Sequence, residues 1–349
     1  MEIIPSDIDA VLITSWVNRK YFTGLKTTDG VLLLTREKSY LIVDFRYIEI
    51  AQKCVKNLVI IEQRKMSEQL RLIEKEHNLK KIGIESGYLS VKDYIKFQAI
   101  FSNAELVFDN RVNCLLENMR KIKSPDEVEC IKYAQCYAER AFYDILEFIK
   151  PGRTEREIAA RLDYVMKGSG SNSEAFQTIV AAGKNTSMPH ATPTDNQVKN
   201  GDFVIMDFGA TFDCYCSDMT RTVAIGSITD EMKKVYQTVL TAQNEAIATI
   251  QNGVLCSDVD KVARNIITDA GYGKNFGHSL GHSLGIEIHE KPFFLPNSAI
   301  SHCKIGHIMT VEPGIYLQGN FGVRIEDMIY IGENGVINLT KSEKQLITL

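Results

Sequence analysis

The sequence predicts a two-domain fold in which an α/β domain precedes a larger α+β domain. The chain has 349 residues, more than a single hydrophobic core usually holds. Its first third alternates short apolar runs with polar helical stretches, whereas the part beyond Phe176 consists mostly of strand-like runs. Between these parts lie two helical segments, each introduced by a capping-box pattern.

The first third contains the elements of an α/β domain. Apolar runs predict strands, and amphipathic stretches predict helices. The predicted strands cover 10–14, 31–35, 40–43, 58–61 and 81–85, and the helices cover 66–77 and 91–101. We place the end of this domain at residue 118, inside the segment 110–123 that precedes the next helix start.

The second domain is predicted to span residues 119–349. Ser124, Pro125 and Glu127 match an N-cap, a first-turn proline and the third residue of a capping box. Thr154 and Glu157 repeat the pattern one helix later. Predicted helices cover 125–149, 154–168, 231–250 and 257–270, and predicted strands cover 203–208, 220–225, 308–312 and 323–331.

Composition argues for a small-molecule partner. A formal net charge of −4 and a pI near 6.0 supply no broad cationic surface for nucleic-acid phosphates or anionic lipids. We therefore expect neither a nucleic-acid nor a membrane partner. The N-terminus has neither the basic start nor the apolar run of a secretion signal, so we expect a cytoplasmic location.

The eight cysteines are predicted to be reduced thiols. They are scattered and form no C-x-x-C pair, which argues against a zinc ribbon or a thioredoxin-type site. Cys214 and Cys216 are candidate metal ligands, but alternation in a strand would put both on one face, where packing is the better interpretation.

Two aspartates lie at strand ends in the second domain. Asp207 ends the apolar run 204–206, and Asp218 precedes the predicted strand 220–225. A hairpin-like return would bring the two carboxylates together, where like charges need a cation or a shared proton. Turn capping or pairing with Arg221 is an equally good interpretation of these two residues alone.

Three further candidate ligands border apolar strand-like runs: His282, Glu312 and Glu326. Individually, each is better explained as a core histidine or a strand-edge acid. Together with the two aspartates they form an oxygen-rich set of four carboxylates and one imidazole. Such a set suits two divalent cations such as Mn²⁺ or Co²⁺, whose charge it would balance.

These segments together resemble the pita-bread metallopeptidases, the family of methionine aminopeptidase, aminopeptidase P and prolidase. The resemblance covers about residues 120–349. It is carried by Met206-Asp207-Phe208-Gly209, Ser217-Asp218-Met219-Thr220-Arg221-Thr222, Gly281-His282-Ser283-Leu284-Gly285, Val311-Glu312-Pro313-Gly314-Ile315-Tyr316 and Arg324-Ile325-Glu326-Asp327. One departure is Ser283, where many relatives have glycine; it concerns the local loop shape and not the ligand set.

The resemblance implies a pita-bread catalytic domain holding two divalent ions, for which we expect Mn²⁺ first, with Co²⁺ or Zn²⁺ as alternatives. Asp207 would bind one ion, His282 and Glu312 the other, and Asp218 and Glu326 both. Paired ions of this kind lower the pKa of water enough to make a nucleophile at neutral pH. Glu312 would also handle the proton.

The remaining histidines favour the proline-specific branch of the family. His278, His282 and His289 resemble a triplet of that branch. There, His190 and His289 would stabilise the oxyanion and donate a proton to the leaving imide nitrogen, and His278 and Arg324 would line the substrate pocket. A helical zinc pair formed by His278 and His282 is the alternative, but glycines at 277, 281 and 285 argue against a helix. A structural role for any one histidine also stays open.

The N-terminal domain resembles the creatinase-type domain of the proline-specific members. The likeness rests on layout and on Asn18-Arg19-Lys20-Tyr21-Phe22-Thr23-Gly24. It implies a homodimer acting on peptides with proline in second place. Aminopeptidase and dipeptidase activity stay open, and the alternatives are a methionine aminopeptidase, a metal-free creatinase-like hydrolase and a non-catalytic peptide-binding module.

Overall fold

The computed structural model describes residues 4–297 and 301–349. The chain forms two compact units, Met1–Arg120 and Lys121–Leu349. In the described part of the chain, none of the helices combines the length and apolar character that crossing a membrane requires.

The first unit is built on a six-stranded mixed sheet with the strand order β4-β3-β2-β1-β5-β6. Its strands are β1 (Ala10–Ile13), β2 (Val31–Thr35), β3 (Ser39–Val43), β4 (Val59–Glu62), β5 (Lys81–Ile84) and β6 (Glu105–Val107). Its helices are α1 (Trp16–Thr23), α2 (Phe45–Cys54), α3 (Met66–Glu76), α4 (Val91–Ile100) and α5 (Arg111–Lys121). Successive residues of β1 enter two different apolar clusters, Ala10 and Leu12 one, Val11 and Ile13 the other. The sheet is therefore buried on both faces.

All seven elements predicted for this unit are present, each with ends within one residue of the prediction. The sequence did not reveal α1, α2, α5 or β6. In α1 the reason is physical, since Asn18, Arg19 and Lys20 are buried polar residues, which removes the apolar periodicity of an amphipathic helix.

The segment 18–24 is a structural motif of the first unit. Asn18 Nδ2 donates to Glu85 at 2.7 Å, and Asn18 Oδ1 accepts from Arg120 at 3.0 Å. Tyr21 donates to the carbonyl of Met119 at 3.2 Å. Gly24 ends α1 with a φ of 70°, a conformation that favours glycine. The motif thus ties α1 to the end of α5.

The second unit combines two helix pairs with antiparallel strands. Its helices are α6 (Pro125–Phe148), α7 (Glu155–Gly168), α8 (Asp230–Thr249) and α9 (Cys256–Asp269). Its strands are β7 (Ile179–Ala182), β8 (Phe203–Phe208), β9 (Thr211–Phe212), β10 (Tyr215–Cys216), β11 (Met219–Ala224), β12 (Gly281–Ser283), β13 (Glu290–Phe294), β14 (Ile308–Val311), β15 (Gly314–Leu317), β16 (Phe321–Arg324), β17 (Asp327–Gly332) and β18 (Gly335–Asn338).

The strands form a three-stranded sheet, β11-β8-β7, and a five-stranded sheet, β13-β12-β14-β17-β18, with the ribbons β9-β10 and β15-β16 beside them. Apolar residues of α6 and α7 pack with those of the smaller sheet in one cluster. Residues of α8 and α9 pack with the larger sheet in another. Both predicted capping boxes are present, at Ser124–Glu127 and Thr154–Glu157.

Two predictions about local structure in this unit were wrong. The strand predicted over 323–331 is two strands, β16 and β17, interrupted at Ile325 and Glu326. The amide of Glu326 donates to the carbonyl of Thr220 instead of continuing a ladder. Cys214 and Cys216 do not share a strand face, because Cys214 has a φ of 70° in the turn before β10.

Candidate metal centre and active site

The nine residues to which the family resemblance gives a role line one cavity of about 700 Å³ in the second unit. They come from strand ends and loops that are far apart in the chain. They are Asp207, Asp218, His282, Glu312, Glu326, His190, His278, His289 and Arg324. Cys214 and Cys216 are not among the lining residues of the described chain.

The antiparallel pairing of β8 with β11 brings the two aspartates together. Thr220 lies opposite Asp207 in this pair, and Asp218 immediately precedes β11. The hairpin-like return predicted from sequence is therefore present. The alternative that both acids pair with Arg221 was wrong, because Arg221 lies 2.8 Å from Asp327 and also donates to the carbonyl of Glu326.

The other three candidate ligands meet at the end of the larger sheet. Val311 at the end of β14 lies opposite Asp327 at the start of β17, so the neighbouring residues Glu312 and Glu326 lie at the same edge. His282 lies in β12, beside β14. The ligand atoms of Asp218, His282 and Glu326 all lie within 4.8 Å of one another.

The ring of His282 is oriented toward the acids. Its Nδ1 donates to the carbonyl of Ser283 at 3.1 Å. Its Nε2 lies 3.6 Å from Asp218 and 3.5 Å from Glu312. Burial, together with the nearby His289, lowers the pKa of His282 to about 3. The imidazole is thus neutral at physiological pH, the form that binds a metal.

Three carboxylate oxygens in the cavity are buried without a hydrogen-bond partner among the described residues. They belong to Asp207, Asp218 and Glu326, one oxygen each. Burial, reinforced by the neighbouring carboxylates, raises the pKa of Asp218 and of Glu326 well above the usual value. Burial also raises the pKa of Glu312 to about 8, although Arg324 opposes this rise. Unpaired buried oxygens and a neutral imidazole facing one another fit a site for divalent cations.

Arg324 holds the Asp207 carboxylate by a hydrogen-bonded ion pair. Its guanidinium donates to Asp207 at 2.6 Å, to Thr220 Oγ1 at 3.1 Å and to the hydroxyl of Tyr316 at 2.8 Å. The side chain is buried. Arg324 therefore fixes the direction of the Asp207 carboxylate.

The three remaining histidines surround the acids. The rings of His289 and His282 are 4.5 Å apart between centroids, and burial lowers the pKa of His289. His278 contacts the hydroxyl of Tyr316 at 3.1 Å through Nε2, and burial lowers its pKa to about 4. His190 is exposed and lies on the segment that follows β7. The helical pair considered for His278 and His282 is absent, because His278 precedes β12 outside any helix.

Two contributors to the site have no assigned role in the sequence analysis. Tyr316 contacts both His278 and Arg324, and only its place next to Val311–Ile315 marks it in the sequence. Glu155, at the start of α7, is buried and accepts hydrogen bonds from Ala182, Asn185, Thr194 and Asn196. It thereby organises the segment that carries His190, and no local signal reveals this.

Two family models match the chain. Residues 129–333 match the model described as metallopeptidase family M24, and residues 5–122 match the creatinase/prolidase N-terminal domain.

The chain belongs to metallopeptidase family M24.

Relatives within this family resemble the chain over its whole length. The "Xaa-Pro dipeptidase" of Pyrococcus horikoshii is 37% identical over 343 residues, which are 98% of this chain and 95% of the relative. A solved "Xaa-Pro dipeptidase from Bacillus anthracis" has a TM-score of 0.94 at 37% identity, covering 98% of this chain and 95% of that one.

A solved "X-Pro aminopeptidase from Thermotoga maritima" has a TM-score of 0.92 at 35% identity, covering 100% of this chain and 99% of that one. The predicted fold, an α+β pita-bread domain after a creatinase-like α/β domain, is confirmed by these similarities and by the two family models. Membership of an M24 metallopeptidase family also implies divalent metal ions.

Proposed function

We propose that this chain is an exopeptidase that hydrolyses the bond between an N-terminal residue and a following proline. The observation that carries the proposal is the convergence of four carboxylates and a neutral imidazole in one cavity, with three carboxylate oxygens unpartnered among the described residues. Relatives named for Xaa-Pro dipeptidase and aminopeptidase activity support the choice of substrate. A non-catalytic binding module is not favoured.

The proposed metal ligands are the four carboxylates and the imidazole that meet in the cavity: Asp207, Asp218, His282, Glu312 and Glu326. We propose two ions, Mn²⁺ first, with Co²⁺ or Zn²⁺ as alternatives, since carboxylates and one imidazole suit these cations. Bound ions of this kind polarise the scissile carbonyl and lower the pKa of water.

The proton chemistry is assigned to three side chains. Glu312, whose carboxylate lies 3.5 Å from His282 Nε2, would accept and return a proton, as positioned carboxylates do in general acid–base catalysis. His190 and His289 would stabilise negative charge on the carbonyl oxygen and donate to the leaving imide nitrogen. That donation is needed because the electron pair of the broken C–N bond goes to the nitrogen, which leaves as an amine only when it gains a proton. In an Xaa-Pro substrate this nitrogen carries no hydrogen of its own.

His278 and Arg324 are proposed to shape the substrate pocket, since both line the cavity and each contacts Tyr316. On the wider scale, we propose that residues 1–118 and 119–349 act as the N-terminal and catalytic domains of a homodimer. The cytoplasmic location stays a prediction from the sequence.

The test is hydrolysis of Ala-Pro, Ala-Pro-Ala, Met-Ala-Ser and creatine by the metal-depleted protein, with and without added Mn²⁺ or Co²⁺. We expect metal-dependent release of alanine from one or both proline peptides. Cleavage of Ala-Pro alone would identify a dipeptidase, and cleavage of Ala-Pro-Ala an aminopeptidase. Preference for Met-Ala-Ser or creatine, or no metal-dependent turnover of any substrate, would contradict the proposal.

A further inference from the structure

A buried ion pair lies beside the candidate active site. Lys123 Nζ is 2.9 Å from Glu290 Oε2, and the two side chains are 0% and 3% exposed. Lys123 belongs to the link between α5 and α6, and Glu290 begins β13. Removing two charges from water is costly unless their geometry is well satisfied, so this position calls for an explanation.

The ion pair lies next to the backbone that carries His282 and His289. Ser283 and Glu290 lie opposite each other where β12 pairs with β13, and Lys123 Nζ is 3.4 Å from Ser283 Oγ. Ser283 directly follows His282, and Glu290 directly follows His289. Lys123 therefore contacts both the residue after His282 and the residue after His289.

The Glu290 carboxylate also braces the turn between the histidines. Its Oε1 accepts from the amide of Glu287 at 3.3 Å. A Cβ placed on Gly285 would lie 2.8 Å from Oε2, so the carboxylate packs directly against the backbone there. The Glu290 carboxylate therefore holds the backbone of the segment 285–287, which leads to His289.

We propose that Lys123 and Glu290 form a positioning pair that sets the orientation of His289 relative to His282. The pair acts through His289 and touches no reacting atom. The kinetic test of this inference rests on the proposed function. The orientation of the His289 ring can be measured without turnover.

The kinetic test is a double-mutant cycle between Lys123→Met and His289→Ala on Ala-Pro-Ala. Lys123→Met is expected to lower kcat by roughly 10- to 100-fold, the scale of a small misplacement of a catalytic group. KM and metal content should change little. In the His289→Ala background the same change should lower kcat by less than about twofold, because the group it positions is already absent.

The matched control is Arg161→Met, which removes another ion pair of this unit, between Arg161 on α7 and Asp144 on α6, with distances of 2.6 and 2.7 Å. It should leave kcat unchanged. Should Lys123→Met fail to fold, Lys123→Met with Glu290→Gln leaves no unpaired buried charge. That double variant is expected to fold with a reduced kcat, and full wild-type kcat would overturn the inference.

The readout without turnover is the proton–nitrogen spectrum of the histidine rings in the metal-free protein. Lys123→Met should shift the His289 ring signals, whereas Arg161→Met should leave them in place. Unshifted His289 signals, or an equal loss of kcat in both backgrounds, would refute the positioning role. Inactive wild-type protein would refute the proposed function, and the ring spectrum would still decide this inference.

Discussion

Asp218 and Glu326 are buried side by side, and one oxygen of each has no hydrogen-bond partner among the described residues. In the metal-free protein this arrangement is unfavourable, because burial and mutual repulsion penalise the charged forms. Function at this position is therefore expected to oppose stability.

Asp218→Asn should separate these two effects. The change should abolish metal-dependent activity, yet raise the Tm of the metal-free protein, by about 2–4 °C for each kcal/mol of relieved repulsion. Thermal unfolding in chelator, together with metal analysis, measures both. The control is Asp269→Asn at the exposed end of α9. It should change neither the metal-dependent activity nor the Tm of the metal-free protein. A metal-loaded, active Asp218→Asn variant would remove Asp218 from the site.

His307 predicts a dependence of stability on pH. It is 3% exposed, and burial, followed by the charges of Lys123 and Lys304, lowers its pKa to about 4. The unfolded chain has a value near 6.5 and therefore binds the proton more readily. The contribution of the neutral ring is fully present above pH 6.5 and is lost as pH falls toward 4.

Wild-type protein should thus lose up to about 3 kcal/mol of unfolding free energy relative to His307→Gln between these pH values. Chemical denaturation at several pH values measures the difference. His302→Gln, at an exposed histidine, should follow the wild-type curve. Parallel curves for wild type and His307→Gln would show that His307 does not titrate in this way.

At the scale of elements, a loop carries one of the proposed catalytic groups. The segment 183–196 holds His190 and is organised by Glu155, which accepts hydrogen bonds through both carboxylate oxygens. A neutral amide in place of this carboxylate offers one acceptor and turns an NH₂ group toward donors. The loop is therefore sensitive to an isosteric change.

Glu155→Gln is expected to lower the unfolding free energy by about 1–3 kcal/mol, the cost of unsatisfied buried donors. It should also lower kcat while metal content stays the same, because the loop no longer holds His190 in place. Glu147→Gln, on the exposed face of α6, is the control. Loss of stability with unchanged kcat would mean that the loop can adjust without Glu155.

On the scale of the whole molecule, all five candidate ligands lie in strands of the second unit or next to their ends. A cation that binds only the folded state stabilises the strands it connects. The first unit has its own apolar clusters and contributes none of the five candidate ligands.

Adding Mn²⁺ to the metal-free protein should therefore slow amide hydrogen exchange in β8, β11, β14 and β17. Exchange in β1 and β2 serves as the internal control and should stay the same. Mass spectrometry of peptides from both units measures this. Equal slowing in both units would contradict a site confined to the second unit.

Much of the local structure could be predicted from the sequence. The capping boxes at Ser124 and Thr154 and the strands ending near Asp207 and Glu312 depend on residues a few positions apart. Local preference and apolar periodicity act over that same range. The candidate ligands were recognisable because few residue types bind metals and because these lie beside apolar strands.

Tertiary structure alone decided how these parts meet. Arg221 pairs with Asp327 and not with Asp218, and the break at Ile325 directs Glu326 to the cavity. The pairing of Lys123 with Glu290 likewise joins distant segments. Such partners are chosen by strand register and by the need to satisfy buried charges, which depend on the whole packed chain and leave no mark on neighbouring residues.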